Sequence, residues 1–570
     1  MRILRRMLLA ALLLAAIAWA AQWWLAPRVE PGSVLWLTVE GNYRESAESL
    51  LLSEVLGIQE QSLAGLLSQM RKAERDARLD HVVIHLRNLE IGWAKAQEIR
   101  AALISLRESG RHVIAFLEVP GFGANREYYV ATAAEDLRIA PGGGPPLLGL
   151  SQEYIFLGGL WDRLGIRVEV SQAGEFKGAV EAFTGREMTD GFRAQASALL
   201  DSLDAQFRRG IQEGRGLDAR AVETALLAAP SDGEALQQLG LVDGVITRAA
   251  LLAELGDPPV VDGSTYAAVD PAELGFEPEA TFALVYGSGA IVAGEGSISP
   301  SGQPVLAADT VVAALEAAAE DDAISAIVLR INSPGGGSYP SELVWRAVRE
   351  ARRSKPVVAS FSDYAASGGY YLATAAEAVV ANPATLTGSI GVYAVRPALG
   401  GLLDRIDIGS DALLRGPHAE ILLATPELSE DTRGWLQAEV EVTYRRFRDR
   451  VADGRELKRT EVDAVAEGRV FTGEQALERR LVDSLGGLRA AVSWAKQRVG
   501  LDPDADVALE IYPRPRSWRE QLRTAFHQRV ARTVRQALPW GEAAAGVATW
   551  VDALGAGGPV LVPPFWIEVH

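Results

Sequence analysis

The phrase SDYAASGGYYLATAAE at Ser362–Glu377 has a weaker upstream echo, GFGANREYYVATAAE, at Gly121–Glu135. Tyr128-Tyr129 recurs as Tyr370-Tyr371, 242 residues on, and LGGLWDRLGI from Leu157 recurs at the same spacing as LGGLLDRIDI from Leu399. GEALQQLGLVDG from Gly233 recurs 240 residues on as GEQALERRLVDS from Gly473. Three landmarks in one order at nearly constant spacing indicate a tandem duplication, and they exclude a short-period solenoid. Each copy reads as α/β. The apolar runs HVVIHL (His81–Leu86), HVIAFLE (His112–Glu118), AIVLRI (Ala326–Ile331) and PVVASFS (Pro356–Ser362) have the composition of buried strands. Between two of them SELVWRAVREARRS (Ser341–Ser354) carries apolar residues at helical spacing. Strand, helix, strand in this rhythm predicts right-handed crossovers and a largely parallel sheet. The expected layout is a stub and anchor at 1–27, a first copy at 28–254, a junction at 255–280, a second copy at 281–500 and a tail at 501–570.

Length and composition agree with this division. A chain of 570 residues exceeds a single ordinary core, and 48% apolar with 23% charged residues describes packed domains. A net charge of -18 speaks against nucleic acid as a partner. The absence of cysteine excludes disulfides, thiolate metal sites and a cysteine nucleophile, and the six histidines show no ligand spacing, so no metal is expected. At the N-terminus Arg2, Arg5 and Arg6 precede a run from Met7 to Ala26 whose only polar residue is Gln22. Twenty helical residues span roughly 30 Å, one hydrocarbon core. The run is therefore expected to be a retained anchor through residues 7–26, with the arginines cytoplasmic and everything after Pro27 on the far side. The rival is a cleaved signal peptide, for which Ala18-Trp19-Ala20 loosely supplies a cleavage site.

Two loops carry candidate chemistry. Asn332-Ser333-Pro334-Gly335-Gly336-Gly337 follows the strand AIVLRI, and such a glycine run lets backbone amides face developing negative charge. Ser367 follows a second strand and precedes two glycines and a helix-like run, where an alkoxide would be stabilised. A nucleophilic serine needs a base. At the 242-residue offset Asn125 stands opposite Ser367, and Lys177, in VEVSQAGEFKGAVEAF, stands opposite Ala419. Serine is present only in the second copy and lysine only in the first, the pattern of one composite site where the copies meet. Lysine serves as base only if burial lowers its pKa from about 10.4 toward neutrality. Phe176, Ala179 and Val180 suit that, whereas Glu175 and Glu181 would keep it charged. His418, in RGPHAE, is the competing base.

RINSPGGGSYPSE, SDYAASGGYYLATAAE, ATLTGSIGVY, AGEFKGAVEAF and EGRVFTGEQALERRLVDSLGG, in this chain's own combination, resemble the signal peptide peptidase A family in its long, duplicated form. The resemblance implies two tandem crotonase/Clp protease-like repeats of ββα units after an N-terminal transmembrane helix. It implies a Ser–Lys dyad with Ser367 as nucleophile and Lys177 as base. By the same resemblance, the amides of Gly336 and Gly368 form the oxyanion hole and Ser389 orients the lysine. It further implies a homotetramer at the bacterial inner membrane, its catalytic part periplasmic, acting on cleaved signal peptides and other apolar peptides without metal or organic cofactor. Gly337 and Tyr339-Pro340 depart from the family's loop. A crotonase-like acyl-CoA enzyme, using similar glycine amides, and a catalytically silent scaffold are the alternatives.

Overall fold

The computed structural model describes residues 29–45, 61–299 and 303–513, together with the backbone of 560–561. In the first copy β1 (Ser33–Gly41), β2 (Leu79–Leu89), β3 (His112–Leu117) and β4 (Asp136–Ile139) alternate with helices Leu63–Arg75, Trp93–Glu108 and Asn125–Ala131. Successive strands pair in parallel. The next strand, β5 (Arg167–Ala173), leaves this sheet, while β6 (Gly244–Val245) and β7 (Val260–Asp262) close its two edges in the order β6-β4-β3-β2-β1-β7. The reason for the parallel layout is visible in β2, where Val82 to Leu86 are all buried. A strand covered on both faces needs a nearly unbroken apolar run, and right-handed helical crossovers supply the cover.

The second copy repeats this plan with additions. Its strands are β8 (Ala280–Ser288), β9 (Ala290–Val292), β10 (Val305–Ala307), β11 (Ile324–Ser333), β12 (Gly336–Gly337), β13 (Val357–Ala366), β14 (Ala378–Ala381), β15 (Leu386–Gly388), β16 (Val392–Ala398), β17 (Val470–Thr472), β18 (Ser484–Leu485) and β19 (Val507–Tyr512). β11 lies between β8 and β13, parallel to both, and β19 closes the edge beside β8. β14 stands 242 residues after β4, and the longest helices among the described residues, Asp190–Arg215 and Glu430–Arg455, are 26 residues each and start 240 apart. The duplication is therefore structural as well as textual. Besides a two-residue strand near the C-terminus, two strands fall outside the expected copy bounds. The stretch expected as a junction contains β7, which pairs with β1, and the stretch expected as tail begins with β19. Both are short edge strands bordered by proline and aspartate, a composition that reads as loop.

The copies are joined by a third sheet in which β5 of the first runs antiparallel to β16 of the second, from Arg167 opposite Ala398 to Ala173 opposite Val392. Glu169 of β5 faces Arg396 of β16 at 2.6 Å, both largely buried, and also meets Arg433 at 3.2 Å. A final two-residue strand, β20 (Val560–Leu561), pairs antiparallel with β12 and touches β16. The run from Met7 to Ala26 lies outside the described residues. Among those described, no helix is long and apolar enough to cross a membrane.

Candidate active site

β5 ends at Ala173, and four residues later the chain presents Lys177. Opposite it, β16 begins at Val392, just after Ser389. The antiparallel pairing of these strands thus carries a side chain of the first copy into the second. Lys177 Nζ lies 2.6 Å from Ser367 Oγ, 2.8 Å from Ser389 Oγ and 2.7 Å from the Ser389 carbonyl oxygen. Lys177 is 1% exposed, and Ser367 and Ser389 are fully buried. The sequence separation between lysine and Ser367 is 190 residues.

Burial pushes the Lys177 ammonium well below the ordinary lysine range, because a cation taken out of water has lost its hydration. No carboxylate opposes this shift. Glu175 is exposed, and its backbone N–H, not its side chain, is engaged, donating to Glu467. The Glu181 carboxylate accepts from the Thr189 hydroxyl at 2.9 Å. The two neighbours that could have kept the lysine charged are thus turned to other work.

Ser367 directly follows β13 and precedes the short helix Gly368–Ala373. Its φ of 54° is unusual for a residue with a side chain, and its N–H donates to the Gly388 carbonyl at 2.8 Å. A sharp strand-to-helix turn of this kind aims the hydroxyl at Lys177 instead of into the sheet. The next position is tightly packed: a Cβ on Gly368 would stand 2.7 Å from Ser341 Oγ and 3.2 Å from the Gly336 backbone nitrogen. The backbones at Gly336 and Gly368 therefore converge beside Ser367. β12 is held there by its parallel pairing with β9 at Ile291.

The five residues named from the sequence are gathered in one place. Asn125, in the serine's position in the first copy, instead bonds its own loop: its amide donates to the Gly149 carbonyl at 3.0 Å and its oxygen accepts from Leu148 N–H at 3.1 Å. His418 stacks on Trp435 with ring centroids 5.2 Å apart and contacts Thr432 Oγ1, and no hydrogen bond joins it to the Lys177 cluster. The stretch Glu467–Arg469, which packs on the lysine loop, was not singled out. Its only textual trace is the EGR in EGRVFTG.

The model of "Peptidase family S49" matches twice, at residues 106–258 and 349–502, once in each copy. A relative from Arabidopsis thaliana, "Serine protease SPPA, chloroplastic", is 32% identical over 501 residues, covering 86% of this chain and 72% of its own. "Protease 4" of Salmonella typhi is 31% identical over 460 residues, covering 77% and 72% respectively. A solved structure of a ClpP1 mutant from Listeria monocytogenes aligns at 14% identity over 37% of this chain and 94% of its own, with a TM-score of 0.24. The double family match, spread over more than half of the chain, and the long alignments to named proteases mean that this chain is a serine peptidase belonging to peptidase family S49.

Proposed function

We propose that the chain is a membrane-anchored endopeptidase working through a Ser367–Lys177 dyad, and that it degrades remnant signal peptides and other short apolar peptides. The observation that carries this reading is the 2.6 Å contact between Lys177 Nζ and Ser367 Oγ in a buried setting. Neutral Lys177 takes the hydroxyl proton as Ser367 Oγ attacks the peptide carbonyl. Ser389 holds the amine by accepting from it through both its hydroxyl and its carbonyl oxygen, which leaves the nitrogen lone pair aimed at Ser367. The backbone amides of Gly336 and Gly368 stabilise the tetrahedral oxyanion. Lysine then returns the proton to the leaving amine, and water, deprotonated by the same lysine, releases the acyl group from Ser367.

Two features favour a peptide as the substrate. The backbone of Gly336–Gly337 accepts an extended segment antiparallel to itself, as Val560–Leu561 does, and this is how a sheet edge recognises a peptide. Large apolar side chains stand exposed on the segments flanking β5 and β16, including Ile155, Leu413 and Leu422. Such surfaces suit apolar ligands or the proposed homotetramer. The anchor at residues 7–26 would hold the site on the periplasmic side of the bacterial inner membrane, near membrane-retained substrates.

The test is covalent. An alkyl fluorophosphonate should modify Ser367 and no other serine, as located by peptide mass spectrometry. A protein unmodified at Ser367 that nevertheless cleaves peptide would overturn the reading. Gly336→Ala tests the oxyanion site separately. A Cβ there would stand 2.2 Å from the Ile291 carbonyl oxygen and 2.5 Å from its nitrogen, so the loop must shift. Loss of one aligned amide should lower kcat by about 10²–10³ with little change in KM.

A further inference from the structure

Lys177 and Ser389 belong to different copies and sit on different loops, yet one three-residue stretch holds both. On the lysine side, the Glu467 carbonyl accepts from Phe176 N–H at 2.7 Å and its carboxylate accepts from Glu175 N–H at 3.2 Å. The Arg469 guanidinium lies over the Phe176 ring, 3.9 Å from its centroid. On the other side, Ser389 N–H donates to the Arg469 carbonyl at 2.6 Å, and Gly468 N–H donates to the Ile390 carbonyl at 2.8 Å. Immediately beyond, Val470 pairs with Gly388 where β17 runs antiparallel to β15. The stretch is itself supported from helix Glu430–Arg455, whose Tyr444 hydroxyl lies 3.1 Å from Glu467 N–H and 3.2 Å from its carboxylate.

Its backbone is shaped for this task. Glu467 and Gly468 have φ of 60° and 78° in succession, and Ser389, which it faces, has φ of 52°. For Glu467 and Ser389 that conformation is strained and persists only where surroundings impose it. Gly468 is constrained twice over. Beyond its φ, a Cβ on it would stand 2.6 Å from Lys177 N, 2.8 Å from its Cα and 2.9 Å from its Cβ. The main chain of the base therefore rests directly on the Gly468 α-carbon.

We infer that Glu467-Gly468-Arg469 is a positioning element that fixes Lys177 and Ser389 relative to each other and so sets the contact between the lysine and Ser367. This rests on the dyad reading and adds to it the means by which loops of two copies hold a proton-transfer distance. The fold needs such a device because base and nucleophile descend from separate sheets. A displacement of about 1 Å in a reacting group costs on the order of 10²-fold in rate.

Gly468→Ala should therefore lower kcat about 10²-fold while KM stays within about twofold. It should also move the acid limb of the kcat–pH profile toward the ordinary lysine range, as the displaced amine gains water. The charged groups on the segments around Lys177 are Glu175, Glu181, Glu467 and Arg469, and none is altered by this substitution. A second pair avoids dependence on Gly468→Ala folding. Glu467→Ala should lower kcat about tenfold and move the same limb, whereas Glu467→Gln, which keeps an acceptor for Glu175 N–H, should restore both. Wild-type kcat with an unmoved limb in Gly468→Ala, or in Glu467→Ala if the glycine variant does not fold, overturns the inference. Lys177→Ala, assayed alongside, separates the two claims. If it is inactive while the Gly468 and Glu467 variants are unaffected, only the positioning role falls; if it cleaves normally, the dyad falls with it.

Discussion

Lys177→Ala and Ser367→Ala should each reduce peptide cleavage by about 10⁴-fold or more, with circular dichroism and assembly unchanged. Members of a nucleophile–base unit act together, and loss of either removes nearly the whole chemical advantage, leaving only binding and oxyanion stabilisation. Lys177→Arg is the sharper variant. It keeps the positive charge and much of the length, but a guanidinium does not deprotonate in a protein, so activity should be no better than with alanine. Retention of more than a few per cent of wild-type turnover by either alanine variant, measured on a quenched apolar peptide, would remove that residue from the mechanism.

The pH dependence follows from the same burial. Because desolvation holds the Lys177 pKa well below the ordinary lysine value, the base is neutral at pH values where an exposed lysine is still charged. Cleavage should rise with pH through that lowered value and reach its plateau below the range near 10.4 where free lysine titrates. The linkage to stability has a definite sign. Between the folded and unfolded pKa values of this lysine the unfolded chain binds the extra proton, so its contribution to stability increases with pH across that window. At neutral pH the buried amine is a cost. Lys177→Met should thus weaken the rise of the melting temperature between neutral and alkaline pH relative to wild type, an outcome unrelated to catalysis.

How far the sequence revealed this site depended on what duplication leaves in the text. Two copies written in one order allow each position to be checked against its twin. Ser367 against Asn125 and Lys177 against Ala419 stood out because each copy lacks what the other holds. The strand cores were equally plain, since a strand such as Val82–Leu86, buried on both faces, is apolar at every position but His85. What delivers the lysine was hidden. β5 reads RVEVSQA, a partly exposed strand of mixed polarity, and nothing local says that its partner is β16, more than 200 residues away. The positive φ angles at Ser367, Ser389 and Glu467 were equally silent, because surrounding packing, not residue type, imposes them. Arg330 shows the same blindness in another form. In AIVLRI it reads as one polar residue at the end of a buried strand, and its partners lie 285 and 232 residues upstream.

Substituting that arginine should give a large stability effect. It is 1% exposed, with Nε 2.7 Å from Glu45, one Nη 2.7 Å from Glu98 and the other 3.0 Å from Ser360 Oγ. Both acids come from the first copy and both are buried. Lys95, also from the first copy, lies 3.3 Å from Glu45 and 3.7 Å from Asp363. Burial alone would raise the Glu45 carboxyl, but Arg330 and Lys95, with the Ser362 hydroxyl, outweigh it and hold the pKa at about 2. Its contribution to stability is accordingly present above the unfolded value near 4.3 and is lost as pH falls through about 2. Arg330→Met takes the cation from buried Glu98 and leaves buried Glu45 with Lys95 alone, and should cost about 3–5 kcal/mol, read as a lower denaturation midpoint. The triple variant Arg330→Met, Glu45→Gln, Glu98→Gln removes the arginine with both of its acids, leaves Lys95 paired with Asp363, and should recover most of that loss, because the penalty belongs to the acids left without the arginine and not to the missing arginine. Equal destabilisation in the single and triple variants would refute this account. Arg330 sits on β11, three residues before Ser333 and the glycine loop, while Ser360 and Asp363 sit on β13, which ends one residue before Ser367. The cluster therefore fastens the first copy to both strands that present the reacting groups, so the single variant should lose activity even at temperatures where it remains folded.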